Sequence, residues 1–344
     1  MPLDLSKCFV IGISSRALFN LEKEDEIFRT QGSKAYSDYQ IAHEDEILKP
    51  GTGFSLAQAI LQLNGDSTEK KRVVIVVMSK NNADTSLRIS KSIAHYGLDI
   101  VRGAYTSGYS LAPYLKAFSI DLFLSASTED VQQATDAGFA AGLIYPYEAS
   151  PTEATDGHRI AFDGDAVLFS EESEKIYKDK GLPAFLQHER ENANKPLPDG
   201  PFAKLFRKLA TLQRQGDIEA KTLIRTALVT ARNSPADERV IKTLRAWKVR
   251  IDEVFFMGGL SKAPILEAFR PHIFFDDQDV HCAPASVVVP TARVMIRNLT
   301  GEQSTLTFEE VVEGSKEAGV PKKVPASVPA VVVSLREEVG APQK

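Results

Sequence analysis

Two aspartates one residue apart, Asp163 and Asp165, follow an apolar run at residues 160–162, and the chain turns apolar again at residues 166–169. That pattern predicts a buried strand with two carboxylates at its C-terminal tip, where open α/β sheets hold their ligands. Gly164 between them lets the backbone turn sharply and approach a ligand closely. Paired carboxylates there suit Mg²⁺ and nucleophilic or acid–base work on a phosphate ester. The alternative is a plain Asp-Gly turn between two strands.

Three later segments place further polar residues after a predicted strand or at a helix start. Residues 227–229 end at Thr230, Lys262 begins a predicted helix, and residues 273–275 end at Asp276 and Asp277. Because the helix dipole disfavours a cation at this end, a lysine there indicates an anionic partner. Each segment alone is weak evidence, whereas the order Asp-x-Asp, Thr, Lys, Asp-Asp is specific.

This series resembles the haloacid-dehalogenase-like (HAD-like) phosphohydrolase superfamily. More narrowly, residues 13–19 (Ile-Ser-Ser-Arg-Ala-Leu-Phe), 161–170 and 274–278 (Phe-Phe-Asp-Asp-Gln) are similar to the cytosolic type I 5′-nucleotidases. The resemblance extends from about Cys8 to about His281, and the last part of the chain matches less clearly.

The resemblance implies a Mg²⁺-dependent hydrolase that releases phosphate from nucleoside 5′-monophosphates, with AMP-like substrates expected. Asp163 would attack phosphorus and form an aspartyl-phosphate, and Asp165 would be the general acid and then the general base. Thr230 would donate to a phosphoryl oxygen, and Lys262 would neutralise the transferring group. The metal ligands implied are Asp163, Asp165 (through its backbone carbonyl), Asp276 and Asp277.

Substrate contacts are predicted around the same site. Arg232, two residues past Thr230, is a further candidate for a phosphate contact. The superfamily places a helical cap over its sites, which here would cover about residues 171–222. Within that range, residues 174–177 and 202–209 predict helices and residues 192–200 a loop. Candidates to line a base pocket are Phe169, Tyr177, Phe185 and Phe202, although aromatic residues at such spacing more often form core.

The chain also resembles itself. A shift of 151 residues places segment 108–118 on segment 259–269, with seven of eleven residues identical. The predicted fold is therefore α/β, with two Rossmann-like (HAD-like) units from an internal duplication. Residues 1–152 would form a degenerate unit, residues 153–300 a catalytic unit with the cap insertion, and residues 301–344 a C-terminal extension.

The same shift predicts that the first unit lacks the catalytic acids. It pairs Asp163 with Gly12 and Asp165 with Ser14, while Lys262 falls on Leu111. Asp276 and Asp277 fall on Ser125 and Ala126, and only the hydroxyl of Thr230 is kept, as Ser79. Without carboxylates the first unit cannot hold a divalent cation, although strand ends and helix N-termini still suit a phosphate.

Composition fits an enzyme acting on a small molecule. The chain of 344 residues is 43% hydrophobic and has a net charge of −5, which argues against a nucleic-acid polymer as partner. Two cysteines are too few for a disulfide framework or a zinc site. No 18-residue apolar run occurs and the N-terminus lacks signal-peptide features, so the sequence predicts a cytoplasmic protein without a membrane partner.

Two other functions fit the same residues. One is a phosphatase for another small phosphomonoester, such as a sugar phosphate, because the cap sequence does not indicate that the leaving group carries a nucleobase. The other is a nucleotide-binding regulator, although a pure binder has no need of a nucleophile. A combined hypothesis places catalysis in the second unit and a nucleotide effector in the first unit or between the two. Base preference, sugar preference and subunit number do not follow from the sequence, so a homo-oligomer stays open.

Overall fold

The computed structural model describes residues 3–65, 71–147, 157–218 and 224–298, with only the backbone given for 215–218. The predicted C-terminal extension, the boundary at residues 152 and 153, and the last residues of the predicted cap lie outside these ranges. The described residues, all of which precede residue 299, belong to one compact unit. The division of that unit into two domains stays a prediction.

Within the described ranges, a single sheet of ten strands forms the centre of this unit. The strands are β1 (Phe9–Ile13), β2 (Val73–Ser79), β3 (Arg102–Tyr105), β4 (Leu122–Ser125), β5 (Ala140–Ile144), β6 (His158–Phe162), β7 (Ile224–Thr230), β8 (Glu253–Phe256), β9 (Ile273–Asp276) and β10 (Thr291–Val294). Their order across the sheet is β3-β2-β1-β4-β5-β10-β9-β6-β7-β8. Neighbours are parallel except β5 and β10, which pair antiparallel in the middle.

The helices flank the sheet as connections between its strands. They are α1 (Ser15–Leu18), α2 (Glu22–Ala42), α3 (Phe54–Leu61), α4 (Ala83–His95), α5 (Ala112–Ala117), α6 (Thr128–Asp136), α7 (Glu172–Glu191), α8 (Ala203–Ile218), α9 (Asp237–Ala246), α10 (Ala263–Phe269) and α11 (Asp279–Val288). A short π-type turn, Gly164–Leu168, follows β6. The predicted α/β class is confirmed, as are the helices at residues 174–177 and 202–209.

The first half (residues 3–147) and the second half (residues 157–298) have the same strand order. Read from the outer edge to the middle, the first half is β3-β2-β1-β4-β5 and the second is β8-β7-β6-β9-β10. In each half the first strand of the chain lies between the second and the fourth. The shared order agrees with the repeat seen in the sequence, while its origin in a duplication stays a prediction.

Strand pairing corrects the register predicted for the first strand of each half. Ile11 lies level with Leu122 in the first half, and Ile160 lies level with Ile273 in the second. The first strands are therefore related by a shift of 149 residues, while β4 and β9 keep the shift of 151. Ser14, and not Gly12, consequently occupies the position of Asp163.

The backbone bonds at these two positions agree with the corrected register. Ser14 N donates to Leu124 O at 2.8 Å, and Asp163 N donates to Phe275 O at 2.7 Å. The difference arises between the first and second strands, where the second half has two residues more. A comparison of sequences without gaps cannot detect such an insertion.

Alternating strand residues build a core on each face of the sheet. On one face a single cluster contains side chains of both halves, including Ile11 of β1 and Ile160 of β6. The Phe162 ring packs there, 5.4 Å from the ring of Phe206 in α8 and 5.5 Å from that of Phe275. Helix α8 is therefore a core helix that packs against the sheet. Of the two helices described in the predicted cap range, α7 is the one that could cover a site.

Among the residues that the structure describes, no helix combines the length and the apolar character needed to cross a bilayer.

Candidate active site

The tips of three neighbouring strands bring the predicted residues together. Asp163 directly follows β6, Thr230 ends β7, and Asp276 ends β9, with β6 between the other two strands. All three side chains are buried. Gly164 sits so close to Thr230 that a Cβ at Gly164 would lie 3.2 Å from Thr230 Oγ1. The tight turn after Asp163 therefore favours a glycine at this position.

Lys262 lies between the carboxylates of Asp163 and Asp276. Its Nζ is 2.7 Å from Asp163 Oδ1 and 2.6 Å from Asp276 Oδ2. The side chain is only 2% exposed. Burial alone would lower the pKa of Lys262, but the carboxylates of Asp163 and Asp276 raise it above its ordinary value. The lysine at the start of α10 is therefore a buried cation paired with two carboxylates, while its predicted role toward a phosphoryl group stays a prediction.

The carboxylates of Asp163, Asp276 and Asp277 form a compact oxygen cluster. Each offers one oxygen, and these three atoms lie within 4.8 Å of one another. Asp277 Oδ1 is buried and has no hydrogen-bond partner among the described residues. Asp276 Oδ1 also accepts a hydrogen bond from the backbone N of Gln278 at 2.9 Å, which fixes its orientation.

Electrostatics indicate that the cluster is short of positive charge. Burial, opposed by Lys262 and reinforced by Asp276, raises the pKa of Asp163 to about 7. Burial and then the neighbouring carboxylates raise the pKa of Asp277 to about 8. The buried cluster thus has three carboxylates and one ammonium, which contacts two of them. Hard oxygen ligands with an unpartnered buried atom fit a divalent cation such as Mg²⁺.

The Asp165 carboxylate pairs with Arg232. Arg232 Nε donates to Asp165 Oδ2 at 2.7 Å, and Nη2 donates to Oδ1 at 2.6 Å, which is a bidentate ion pair. Although burial opposes it, the carboxylates of Asp165 and Glu189 raise the pKa of Arg232. Arg232 was predicted as a substrate contact and does lie at the site, where it is buried and bound to the candidate acid.

Sequence reasoning missed Glu189, a buried carboxylate of α7 behind Arg232. Its Oε2 accepts from Arg232 Nη1 at 2.5 Å. Its Oε1 accepts from Arg239 Nη1 at 3.0 Å and from Ser173 Oγ at 2.7 Å. Glu189 stands in the charged run His-Glu-Arg-Glu, which resembles an ordinary solvated helix face. No local signal marks it, because its two arginine partners are 43 and 50 residues away in the chain.

Two of the four aromatic candidates lie on the α7 side of the site. The Arg232 guanidinium lies over the Phe185 ring, 5.4 Å from its centroid. The Tyr177 ring packs edge-on against Phe185 at 6.2 Å, and Tyr177 is 52% exposed. From Asp165 outward, the wall therefore runs through a guanidinium and a buried ring to an accessible aromatic face.

The other two candidates are core residues in this structure. Phe169 is fully buried and its ring lies 5.4 Å from that of Trp247. Phe202 is also fully buried and packs on Phe275 at 5.0 Å. Neither ring has exposed surface for a base to contact, so this conformation gives no support to the substrate role predicted for Phe169.

Comparison with known proteins agrees with the resemblance noted in the sequence. Residues 1–300 match the 5′-nucleotidase family. The chain is 39% identical over 289 residues to the human protein named cytosolic 5′-nucleotidase 1B, a match that covers 81% of this chain and 47% of that protein. The chain thus spans about half the length of this relative. No solved structure matches it. The predicted relationship is confirmed, and the chain belongs to the 5′-nucleotidase family.

Proposed function

We propose that this protein is a Mg²⁺-dependent 5′-nucleotidase that hydrolyses nucleoside 5′-monophosphates, AMP-like ones among them, to nucleoside and phosphate. One observation carries the proposal: the Asp163 carboxylate is bound to Lys262 beside Asp276 and Asp277, in a buried cluster at the carboxyl ends of parallel strands. The name of the human relative supports the substrate class and a cytoplasmic location.

In the first step, an oxygen of Asp163 attacks phosphorus while the bond from phosphorus to the ribose 5′ oxygen breaks. Asp165 gives its proton to the departing oxygen, and an aspartyl-phosphate remains. Asp165 then takes a proton from water, which attacks phosphorus and releases phosphate from Asp163. Mg²⁺ held by Asp163, Asp276 and Asp277 would supply positive charge to the phosphoryl oxygens. Thr230 and Lys262 donate to those oxygens and restrain the nucleophile.

Arg232 must share its charge between Asp165 and the substrate. In this structure two of its nitrogens contact Asp165. A phosphate entering the site would be a second anion for this side chain, and it would weaken the charge of Arg232 on Asp165 without displacing the Asp165 carboxylate. Asp165 could then carry the proton that it gives to the leaving oxygen.

Helix α7 would act as the cap over the leaving group. Glu174 of α7 accepts from Gln278 Nε2 at 3.0 Å, which joins the helix to the loop that follows Asp277. Tyr177 is the exposed aromatic residue along this wall and would stack on the base. The fully buried Phe169 would instead support the turn below the site.

The first half would bind a nucleotide effector without catalysing a reaction, and both halves would descend from one duplicated unit. The shared strand order supports the common origin. Hydroxyls at the strand tips, with Ser15 Oγ and Ser79 Oγ 3.0 Å apart, support phosphate binding without a metal. This part fails if nucleoside di- and triphosphates neither bind an Asp163→Asn protein outside the substrate site nor change wild-type turnover.

Phosphate release from a panel of nucleoside monophosphates and sugar phosphates, with Mg²⁺ and with EDTA, tests the central proposal. We expect metal-dependent release from nucleotides, and no release by the Asp163→Asn protein. Release from sugar phosphates alone would keep the chemistry and overturn the substrate. Absence of release from every ester would leave a nucleotide-binding regulator as the function to test.

A further inference from the structure

We propose that Glu189 is a positioning residue, which orients Arg232 and through it the candidate acid Asp165. This inference rests on the proposed function. Glu189 belongs to α7 and its side chain is fully buried, so its charge is neutralised only by the groups that it contacts. A buried carboxylate without partners is costly, and Glu189 has three donors.

The geometry of the guanidinium makes the orientation specific. Its nitrogens lie in one plane as a rigid fork, so fixing one edge fixes the direction of the other. Arg232 Nη1 donates to Glu189 at 2.5 Å, while Arg232 Nε and Nη2 donate to Asp165 at 2.7 and 2.6 Å. The three bonds place the Asp165 carboxylate at a defined position next to the nucleophile.

The first half has a related set of side chains without this ion pair, because Tyr36 bridges the matching positions: it accepts from Gln40 Nε2 and donates to Asn81 Oδ1, both at 3.0 Å. By the strand register and the matching helices, Gln40 stands where Glu189 stands, and Asn81 stands where Arg232 stands. Both helices hold a glycine with positive φ at matching positions, Gly32 at 85° and Gly181 at 77°, which supports the alignment. The carboxylate Glu189 thus occurs in the half that also has the arginine Arg232, and the first half has neither group at these two positions.

Charge balance for Arg239 accounts for one bond of Glu189, but it does not account for the bond of Glu189 to Arg232. In the first half, Arg88 Nη1 donates to Gln40 Oε1 at 3.2 Å and to Glu24 Oε1 at 2.7 Å. Arg88 is the first-half counterpart of Arg239. In the first half, its charge is therefore neutralised by Glu24 and not by a residue at the position of Glu189. A carboxylate at position 189 adds one contact that Glu24 does not offer, the bond to Arg232.

The test compares Glu189→Gln, Arg232→Gln and the double variant, with Glu24→Gln as the matched control. Glu24→Gln also removes a buried carboxylate, one that joins α2, the long helix that matches α7, to Arg88. We expect Glu189→Gln to lower kcat by more than tenfold, with a smaller change in KM. In the Arg232→Gln background the same substitution should lower kcat by less than twofold, because groups that act through one another are not additive.

Three results would overturn the proposal: kcat within twofold of wild type in Glu189→Gln, an undiminished effect in the Arg232→Gln background, or an equal loss in Glu24→Gln. If Glu189→Gln does not fold, Glu189→Asp keeps the charge and shortens the side chain, and the same comparison applies. If wild type releases no phosphate, the proposed function fails. Crystal structures of Glu189→Gln and Glu24→Gln then decide the inference. It requires that Arg232 no longer contacts Asp165 in Glu189→Gln and still contacts Asp165 in Glu24→Gln.

Discussion

The two halves of the sheet have matching hydrogen bonds at their strand tips and different charges. Ser125 Oγ accepts from Ser127 N at 3.1 Å, and Asp276 Oδ1 accepts from Gln278 N at 2.9 Å at the matching position. Ser79 and Thr230 each accept from the backbone N two residues on, both at 3.3 Å. A hydroxyl oxygen meets the needs of the turn as well as a carboxylate does. The backbone therefore requires an acceptor, and only the proposed chemistry requires an acid.

The same comparison explains the buried lysine. Leu111 and Lys262 occupy matching helix starts, and each is 2% exposed. A leucine at such a position needs no partner, whereas a lysine there needs the two carboxylates that only the second half supplies.

The largest expected effect is the loss of turnover in Asp163→Asn. The amide cannot act as the nucleophile, so kcat should fall by at least about 10³-fold. Ser14→Ala changes the matching position in the first half, where Ser14 Oγ accepts from Ala17 N. This control should keep kcat within twofold of wild type and lose about 1 kcal/mol of stability with its cap. Similar kcat losses in both variants would remove the proposed difference between the halves.

Lys262→Leu gives the second half the residue of the first. Without the ammonium, Asp163 and Asp276 repel each other and the phosphoryl group, so kcat should fall by about 10²-fold or more. At pH 8 the free energy of unfolding should fall by about 3–5 kcal/mol, because two buried carboxylates lose their partner. Leu111→Met serves as the control and should cost less than about 1.5 kcal/mol. Kinetics and urea unfolding measure both effects, and an active, stable Lys262→Leu protein would contradict the role of the lysine.

A third comparison concerns metal binding and its pH dependence. Mg²⁺ should raise the unfolding temperature of wild type and of Ser125→Ala, but not that of Asp276→Asn. Because protons compete with metal for Asp277, whose pKa is about 8, the rise should be larger at pH 8 than at pH 6. In EDTA the sign reverses: folding raises this pKa, so the contribution of Asp277 to stability falls as pH increases toward 8. Calorimetry at both pH values checks this, and an equal rise in Asp276→Asn would exclude the site.

The smallest effect is expected at the amino-terminal end of β6, away from the candidate site, where His158 matches Phe9. Burial and the nearby His272 lower the pKa of His158 to about 4. The folded state thus prefers the neutral ring, so stability is lost as pH falls from about 6.5 toward 4. His158→Phe should reduce the stability lost between pH 7 and pH 5 by on the order of 1 kcal/mol. Urea unfolding at both pH values measures it, and an unchanged loss would show that other groups cause the acid sensitivity.

Much of this site could be predicted because its signals are local. A polar residue after an apolar run marks a strand tip, and parallel strands bring their tips to one edge, so Asp163, Thr230 and Asp276 were predicted to meet. Lys262 was predicted from its place at a helix start. Each prediction needed only a few neighbouring residues.

The remainder depends on tertiary packing. Glu189 meets Arg232 only after α7 has folded onto the loop that follows β7, and a charged run gives no sign of that contact. The burial of Phe169 against Trp247 likewise follows from distant packing. The register of the first strands could not be predicted because an insertion of two residues leaves each strand looking equally apolar.

The antiparallel pair of β5 and β10 has a consequence for how the chain folds. If the halves were separate, these two strands would be open edges, with unpaired backbone groups able to recruit other chains. In the intact chain each covers the other, at Ala292 with Ile144 and at Val294 with Gly142. Each half is therefore the other's protection against aggregation. Neither half can unfold alone without exposing an unpaired strand edge, which couples the stability of the half that has the buried acidic cluster to the stability of the half that lacks it.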